Sequence, residues 1–411
     1  MSDRQQKALE IAATSKLAKQ GDAWLVPSQS DNGHYVVASD LKHCTCPDYE
    51  LRQRDCKHIL ATEIVIEREC SVTETNDGQT RTQIVSESVK VTYRQEWTAY
   101  NTAQTNEKAL FQKLLNELCD GVVEPAQTTG RPRLAYRDMI FSVAFKVFST
   151  VSGRRFMSDL SDAHAKGYIA KVPHFNSIFN YLELEALTSV LRELIARSSL
   201  PLKALETNFA VDSSGFSTCQ YASWFNAKYG KEVDNHDWIK IHLMTGVRTN
   251  VVTSVEVSDR NAHDAPFLPQ LVDDTAKNFT INQVSADKGY TGRKNHHAIA
   301  KHGATPYIAF KKNATGKAGG MFETMFHYYS LNRNAFLAQY HRRSNVETTF
   351  HMIKAKFGSR IRSKGTTAQV NEALCKVLCH NICVLIQSIF EFGIEASFCA
   401  DGSPAQEASR F

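Results

Sequence analysis

The stretch YHRRSNVETTFHMIK, residues 340–354, places Tyr340, Arg343, Glu347 and Lys354 at steps of three, four and seven residues. On a helix that spacing puts all four on one face. A carboxylate between two cations and a phenol makes a poor core face. It suits a metal ion held beside a phosphodiester. Arg343 and Lys354 can clamp phosphate oxygens, and Glu347 can ligate a hard divalent cation. The same letters carry a second reading: Ser344-x-x-Glu347 is also a capping box, in which Glu347 starts a helix and Tyr340 precedes it.

The pattern Tyr-x2-Arg-x3-Glu-x6-Lys resembles the signature of a large group of bacterial insertion-sequence transposases, over roughly residues 130–390. That resemblance implies an RNase H-like fold and an Asp-Asp-Glu triad whose two aspartates lie upstream, each at a strand end. Asp212 in VDSSGF and Asp287 in ADKGYTG are the candidates. Each is read where a strand gives way to a Gly-containing turn, the usual place for site residues on an α/β sheet. A lone strand-end Asp is more often a turn or cap residue; two of them with Glu347 form a set. Three converging carboxylates repel one another unless cations sit between them. Two-metal phosphoryl transfer is the expected chemistry, with Mg²⁺ (or Mn²⁺) held by Asp212, Asp287 and Glu347 because the ligands are all oxygen. Arg343, Lys354 and Tyr340 are expected at the DNA phosphates. The resemblance further implies cleavage of transposon ends and joining of the 3′-OH to target DNA.

A second cluster lies in CTCPDYELRQRDCKH, where Cys44-x-Cys46 and Cys56-x-His58 offer three thiols and an imidazole. That set suits tetrahedral zinc, and a closed four-ligand site is structural rather than catalytic. The pattern resembles the SWIM zinc finger, a CxC followed by CxH on a hairpin and a helix. Unligated cysteines with a surface histidine are the plainer alternative, and His43 is a rival ligand.

Ahead of that cluster, residues 1–20 read as a short polar helix and Ala23–Val37 as a hairpin turning at Asn32-Gly33. A helix follows from Ile59 to about Glu69. Residues 70–105 read as a polar linker with a weak strand around Val89, Val91 and Tyr93, and Glu107–Leu118 as a helix. Gly130-Arg131-Pro132-Arg133 is either a linker or a basic arm able to enter a minor groove. Helices are expected at Tyr136–Phe148, Ser158–Gly167 and His174–Ala196, as a DNA-end-binding module or a spacer. From Leu205 the pattern becomes three strands, helix, strand, helix, strand, then helices at Met321–Gln339, Ser344–Lys356 and Val370–Phe392. An excursion carries Tyr221, Trp224, Phe225, Tyr229 and Trp238, rings able to stack on an unpaired base or to pack in the core. His263-Asp264 reads as a helix start, and Lys288, Lys311 and Lys312 are further candidates for backbone contacts.

The 411 residues allow two or three domains, and a net charge of +5 permits nucleic-acid binding without demanding it. Ten cysteines, three of them clustered, point to a reducing compartment with a metal site rather than a disulfide framework. The charged start lacks a signal-peptide pattern, and the apolar run Ile382–Ile386 is too short for a bilayer. The expected architecture is α/β: an RNase H-like mixed sheet with flanking helices, preceded by a helical region and a small zinc-binding module. The boundaries are drawn at 1–70 (zinc finger), 71–130 (linker and helix), 131–203 (helical region), 204–395 (catalytic domain) and 396–411 (disordered tail). The expected protein is a cytoplasmic, nucleoid-associated DNA transposase, a homo-oligomer on double-stranded DNA with no membrane contact. A nuclease without strand transfer and a non-cutting domesticated DNA-binding protein are the alternatives.

Overall fold

The structure, a computed structural model, describes residues 4, 7–8, 11–12, 15, 17–20, 23–28, 33–74, 80–84, 96–126, 129–130, 133–218, 238–311, 314–396 and 398. Several sequence-level readings therefore fall outside the described residues: Asn32, Val89, Val91, Tyr93, Arg131, Pro132, Lys312, the rings of Tyr221, Trp224, Phe225 and Tyr229, and the 401–411 tail. The chain divides into two compact units, Met1–Arg94 and Gln95–Phe411.

In the first unit, β1 (Ala18–Gln20), β2 (Ala23–Pro27) and β3 (His34–Ala38) form an antiparallel sheet in that order. The expected hairpin is β2–β3. Ala18–Gln20, read as the end of a polar helix, instead pairs with β2. Two helices follow, α1 (Pro47–Arg52) and α2 (Lys57–Glu69). The core they share is small: Trp24, Val26, Val37, Cys44, Cys46, Cys56 and Ile59 are among its buried members. The supposed linker contains a second hairpin, β4 (Cys70–Glu74) with β5 (Thr80–Ile84). Val and Thr in these two stretches of sequence favour a pleated backbone.

The second unit opens with α3 (Trp97–Cys119), α4 (Tyr136–Ser149), α5 (Gly153–Ala165), α6 (Phe175–Leu182) and α7 (Glu185–Ser199). The single helix expected over 174–196 is thus two. The break at Glu183-Leu184 is held from afar, because the Asn371 side-chain amide donates to the carbonyls of Leu182 and Leu184 (2.9 and 3.0 Å). No local sequence signal encodes that partner.

Next come β6 (Asn208–Ser217), β7 (Trp238–Gly246), β8 (Val252–Ser258), α8 (Leu268–Ala276), β9 (Gln283–Ala286), α9 (Arg293–Ala300) and β10 (Thr305–Ile308). This is the expected order of elements. The strands form one mixed sheet, β10-β9-β6-β7-β8, with β6–β7–β8 antiparallel and β9 and β10 parallel to β6. The two-residue period of β6 divides its side chains between two cores. Ala210 and Phe216 join the large helical core, whereas Phe209 and Val211 face α8 and Tyr290.

Four helices complete the unit: α10 (Gly320–Leu331), α11 (Arg333–Tyr340), α12 (Ser344–Phe357) and α13 (Thr366–Phe392). α13, at 27 residues, is long and apolar enough to cross a membrane by length and composition, which the short run Ile382–Ile386 did not reveal. Here it is the central core helix, with 78% of its most apolar window buried. It carries polar groups inward. The Asn381 carboxamide accepts from Val252 N (2.8 Å) and donates to Val252 O (2.7 Å), closing the edge of β8 as another strand would.

Replacing that carboxamide strands both backbone groups of Val252 in an apolar core. Asn381→Leu is expected to lower stability by about 3 kcal/mol, read in urea as a lower midpoint at unchanged slope.

Candidate active site and metal centre

Parallel pairing of β6 with β9 sets the positions of the two aspartates. The last register pair is Val211 with Ala286, so Asp212 and Asp287 are the next residues on two neighbouring strands running the same way. Asp287 follows the end of β9, where its Oδ2 accepts from Gly289 N (3.4 Å) in the turn Lys288–Tyr290. Asp212 departs from expectation. It is not at a strand end: β6 continues to Ser217, and Asp212 pairs with Leu243 of β7. Two partners prolong the strand, β7 along its length and a bridge from Ser217 to Arg360. Being inside the strand costs Asp212 solvent. Burial raises its carboxyl to about 6; the Ser213 N–H (2.8 Å) and the Arg343 charge oppose this, and Asp287 and Glu347 add to it.

The signature residues lie on an almost continuous helical path, α11, a 3₁₀ turn (His341–Arg343) and α12. They do not form one exposed stripe. Tyr340 is buried, and its hydroxyl donates to Asp287 Oδ1 (3.3 Å). Arg343 pairs with Glu347 (2.6 Å) and lies over the Tyr340 ring (5.5 Å). Lys354 donates to Ser214 Oγ (2.6 Å) and sits near the rings of Phe216 and Phe350 (5.4 and 5.9 Å), with burial lowering its pKa. The capping box does not form: Ser344 Oγ donates back to His341 O, and α12 has no side-chain cap.

Among the described residues, the one group of His, Cys, Asp and Glu with all ligand atoms within 4.8 Å of one another is Cys44, Cys46, Cys56 and His58. Asp212, Asp287 and Glu347 stand wider apart, with Glu347 turned to Arg343. In the first unit, Cys44 bridges to Val37 beside β3, Cys46 precedes α1, and Cys56 and His58 flank the start of α2. All four are buried. His58 Nδ1 lies 4.0 Å from Cys44 Sγ and 3.9 Å from Cys56 Sγ. Those are close to the edges of a tetrahedron with ligand bonds of about 2.0–2.3 Å. The Cys56 thiol is held down chiefly by its Cys44 neighbour, and Cys44 is pushed up in turn. The donors, three thiols and one imidazole, suit zinc. His43, the rival ligand, points to solvent near Asp40.

Residues 203–382 match the family model of the transposase DDE domain, and residues 32–67 match that of the SWIM zinc finger. The chain carries a DDE transposase domain behind an N-terminal SWIM zinc finger. Among solved structures, a cryo-EM structure of a piggyBac transposase synaptic complex with hairpin DNA is similar at 11% identity and a TM-score of 0.35, covering 73% of this chain and 77% of that one. No curated protein matches the chain.

Sequence reasoning about the transposase domain missed what stands behind Asp212. Asp264 was read as a helix start, yet its side chain caps nothing. It accepts from Ser213 Oγ (2.9 Å), pairs with Lys240 and lies 3.7 Å from His242 Nδ1. His242 is fully buried against Phe267 (4.2 Å), and burial lowers it to about 4, so it is neutral. Asp264 thereby grips the residue next to Asp212 from the opposite face of the sheet. The polar letters of WIKIHLMTG were the available signal. Of the other candidates, Lys288 and Lys311 are exposed, and Trp238 packs over Gly215, where a Cβ would meet its ring at 3.0 Å.

Because folding raises the Asp212 pKa from 3.8 to about 6, the native state holds the extra proton between those values. Stability from this group is therefore greatest below pH 4 and falls as pH rises to 6. Asp212→Asn is expected to gain about 1–2 kcal/mol at pH 7 and nothing at pH 4, in paired urea titrations.

The finger has too small a core to stand without its metal. Chelating the zinc, or making Cys56→Ser, is expected to remove on the order of 10 kcal/mol from this segment. Protease should then cut within residues 22–69 while the transposase domain remains protected. Purified protein without zinc, or an equally protected variant, would contradict this.

Proposed function

We propose that this protein is a DNA transposase that cuts transposon ends and joins the 3′-OH to target DNA. In this reading its mixed sheet is RNase H-like and Asp212, Asp287 and Glu347 are the catalytic carboxylates. The observation that carries the reading is the adjacency of Asp212 and Asp287 on parallel strands, beside the helix bearing Glu347. It is supported by the match of residues 203–382 to a transposase DDE domain.

The donor set fits Mg²⁺ or Mn²⁺: the ligands are carboxylate oxygens, and a divalent cation would offset both the burial that chiefly raises Asp212 and the smaller repulsion from Asp287 and Glu347. When bound, a pair of such ions supplies a lowered pKa for the attacking water or 3′-OH and charge stabilisation for the leaving oxygen. The protein's own residues orient the reaction. The Tyr340 hydroxyl holds Asp287 Oδ1, leaving Oδ2 toward the turn. Asp264 holds Ser213 and so fixes the backbone beside Asp212. Arg343 holds Glu347 away from the aspartates. An arriving phosphate competes for that guanidinium, freeing Glu347 to turn inward as a ligand. Lys354, fixed on Ser214, supplies a positioned charge on the same face.

The test is cleavage and strand transfer on DNA carrying the element's ends. Asp212→Asn, Asp287→Asn and Glu347→Gln are each expected to abolish Mg²⁺-dependent cutting and leave DNA binding largely intact. Arg343→Ala should slow cutting and reduce the salt slope of binding by about one phosphate contact. Cutting without joining of pre-cut ends would favour the nuclease alternative. A triad variant that cuts at the native rate would remove that residue from the site.

A further inference from the structure

A cavity of about 630 Å³ opens among the end of α4, the start of α5, α6 and the segment Gly358–Lys364. It falls in the usual size range of ligand sites, roughly 300–1,000 Å³, and none of the three candidate catalytic carboxylates lines it. Its cations outnumber its anions: Lys146, Arg362, Lys364 and Lys376 against Glu183 and Glu372. Glu372 is already committed. It accepts from the backbone N–H groups of Arg362 and Ser363 (3.0 and 2.8 Å) and lies 3.9 Å from Lys376. Lys376 in turn donates to the carbonyls of Gly358 and Arg360 (2.9 and 2.6 Å).

Lys146 is different. It is 8% exposed, and its ammonium makes no hydrogen bond or ion pair among the described residues. Burial lowers it to about 8, the Arg362 guanidinium pushes the same way, and Glu372 opposes them. An ammonium on the cavity wall with no partner of its own, beside the Arg362 guanidinium, can take a phosphate oxygen. One NH group of Arg362 is anchored on Thr150 O, which aims the guanidinium.

The lining also carries an exposed aromatic ring. The Phe179 ring, 41% exposed, lies over Gly153, where a Cβ would come within 2.8 Å of it. From the cavity lining, exposed Arg362 and Lys364 continue back along the chain to exposed Arg360, alternating with buried Ile361 and half-buried Ser363. The segment is held extended by hydrogen bonds between Ser217 and both Ser359 and Ile361 (3.1 and 2.8 Å). Extended chain repeats such cations about every 6.6 Å on one side, a row that can follow successive phosphates.

We propose that this cavity seats one nucleotide of a DNA strand, with its phosphate at Lys146 and Arg362 and its base on Phe179. Surplus positive charge selects a phosphate, the exposed ring selects a base, and the row of cations selects a strand over a free anion. The volume excludes a duplex. The inference rests on the reading of DNA as substrate and adds a contact outside the triad.

The test is UV cross-linking of octathymidylate in Mg²⁺-free buffer with peptide mass spectrometry, beside anisotropy titrations of the dye-labelled oligonucleotide. An adduct on the peptide containing Phe179 is expected. Lys146→Met should reduce its yield at least about tenfold, and Phe179→Ala should weaken binding about tenfold. Exposed Lys364→Gln, which leaves the core untouched, should lower the salt slope by about one. Thermal melts confirm that each variant is folded. Adducts only elsewhere, or undiminished yield in folded Lys146→Met, overturn the proposal. Competition by dTMP at the affinity of the oligonucleotide assigns the cavity to a free nucleotide and overturns the strand. Wild-type protein that binds no oligonucleotide overturns the DNA reading itself, whereas binding that no cavity variant alters overturns only the cavity.

Discussion

Parallel pairing of β6 with β9 is the constraint on which the second unit depends. Parallel neighbours cannot be joined by a tight turn, so the chain must leave the sheet and return. It first adds β7 and β8 on one side of β6 and then returns through α8, which packs against Phe209 and Val211. The pairing also forces Asp212 and Asp287 side by side. Two carboxylates so placed, one of them inside a strand, work against stability. Burial is the chief cause of the raised Asp212 pKa, with Asp287 and Glu347 adding to it, and the rest of the fold must hold that cost.

Much of the fold was legible because its signals are local. Alternation in NFAV, IKIHL and VTSVEV gave the strands, and apolar spacing gave α4 and α13. The Cys44–His58 cluster was legible for the same reason: four ligands within a short stretch have few other uses. What was not legible depends on partners distant in sequence. β6 runs past Asp212 because β7 pairs with it as far as Ser217, where Arg360 also bridges. The break between α6 and α7 depends on Asn371, and the edge of β8 on Asn381. Helical spacing placed Tyr340, Arg343, Glu347 and Lys354 together, but it was silent on their engagements. The Arg343–Glu347 pair, the Tyr340–Asp287 bond and the burial of Lys354 between aromatic rings are set by tertiary packing.

The two units secure their stability by different means. The transposase domain is large enough to bury α13 on most sides and to hide Asn371, Lys376 and Asn381 on it with hydrogen-bond partners. The finger has a thin layer of apolar side chains whose centre is its own ligand set. His58 Nε2 is buried without a partner there, while Nδ1 faces the thiols. Metal ligation by Cys44, Cys46, Cys56 and His58 would fix that ring, and coordination bonds would then do the work that core packing does in the larger unit.

The alternation of β6 also joins the candidate active site to the cavity. Asp212, Ser214 and Phe216 project from one face. Asp212 neighbours Asp287, Ser214 takes the ammonium of Lys354, and Phe216 lies 5.4 Å from the ammonium groups of both Lys354 and Lys376. Lys376 in turn ties down the carbonyls of the segment that walls the cavity. One strand face therefore runs from the carboxylates through a lysine and a buried ring to the Gly358–Lys364 segment. Arg362 and Lys364 at the cavity thus lie on the segment whose Arg360 bridges the end of the strand that holds Asp212.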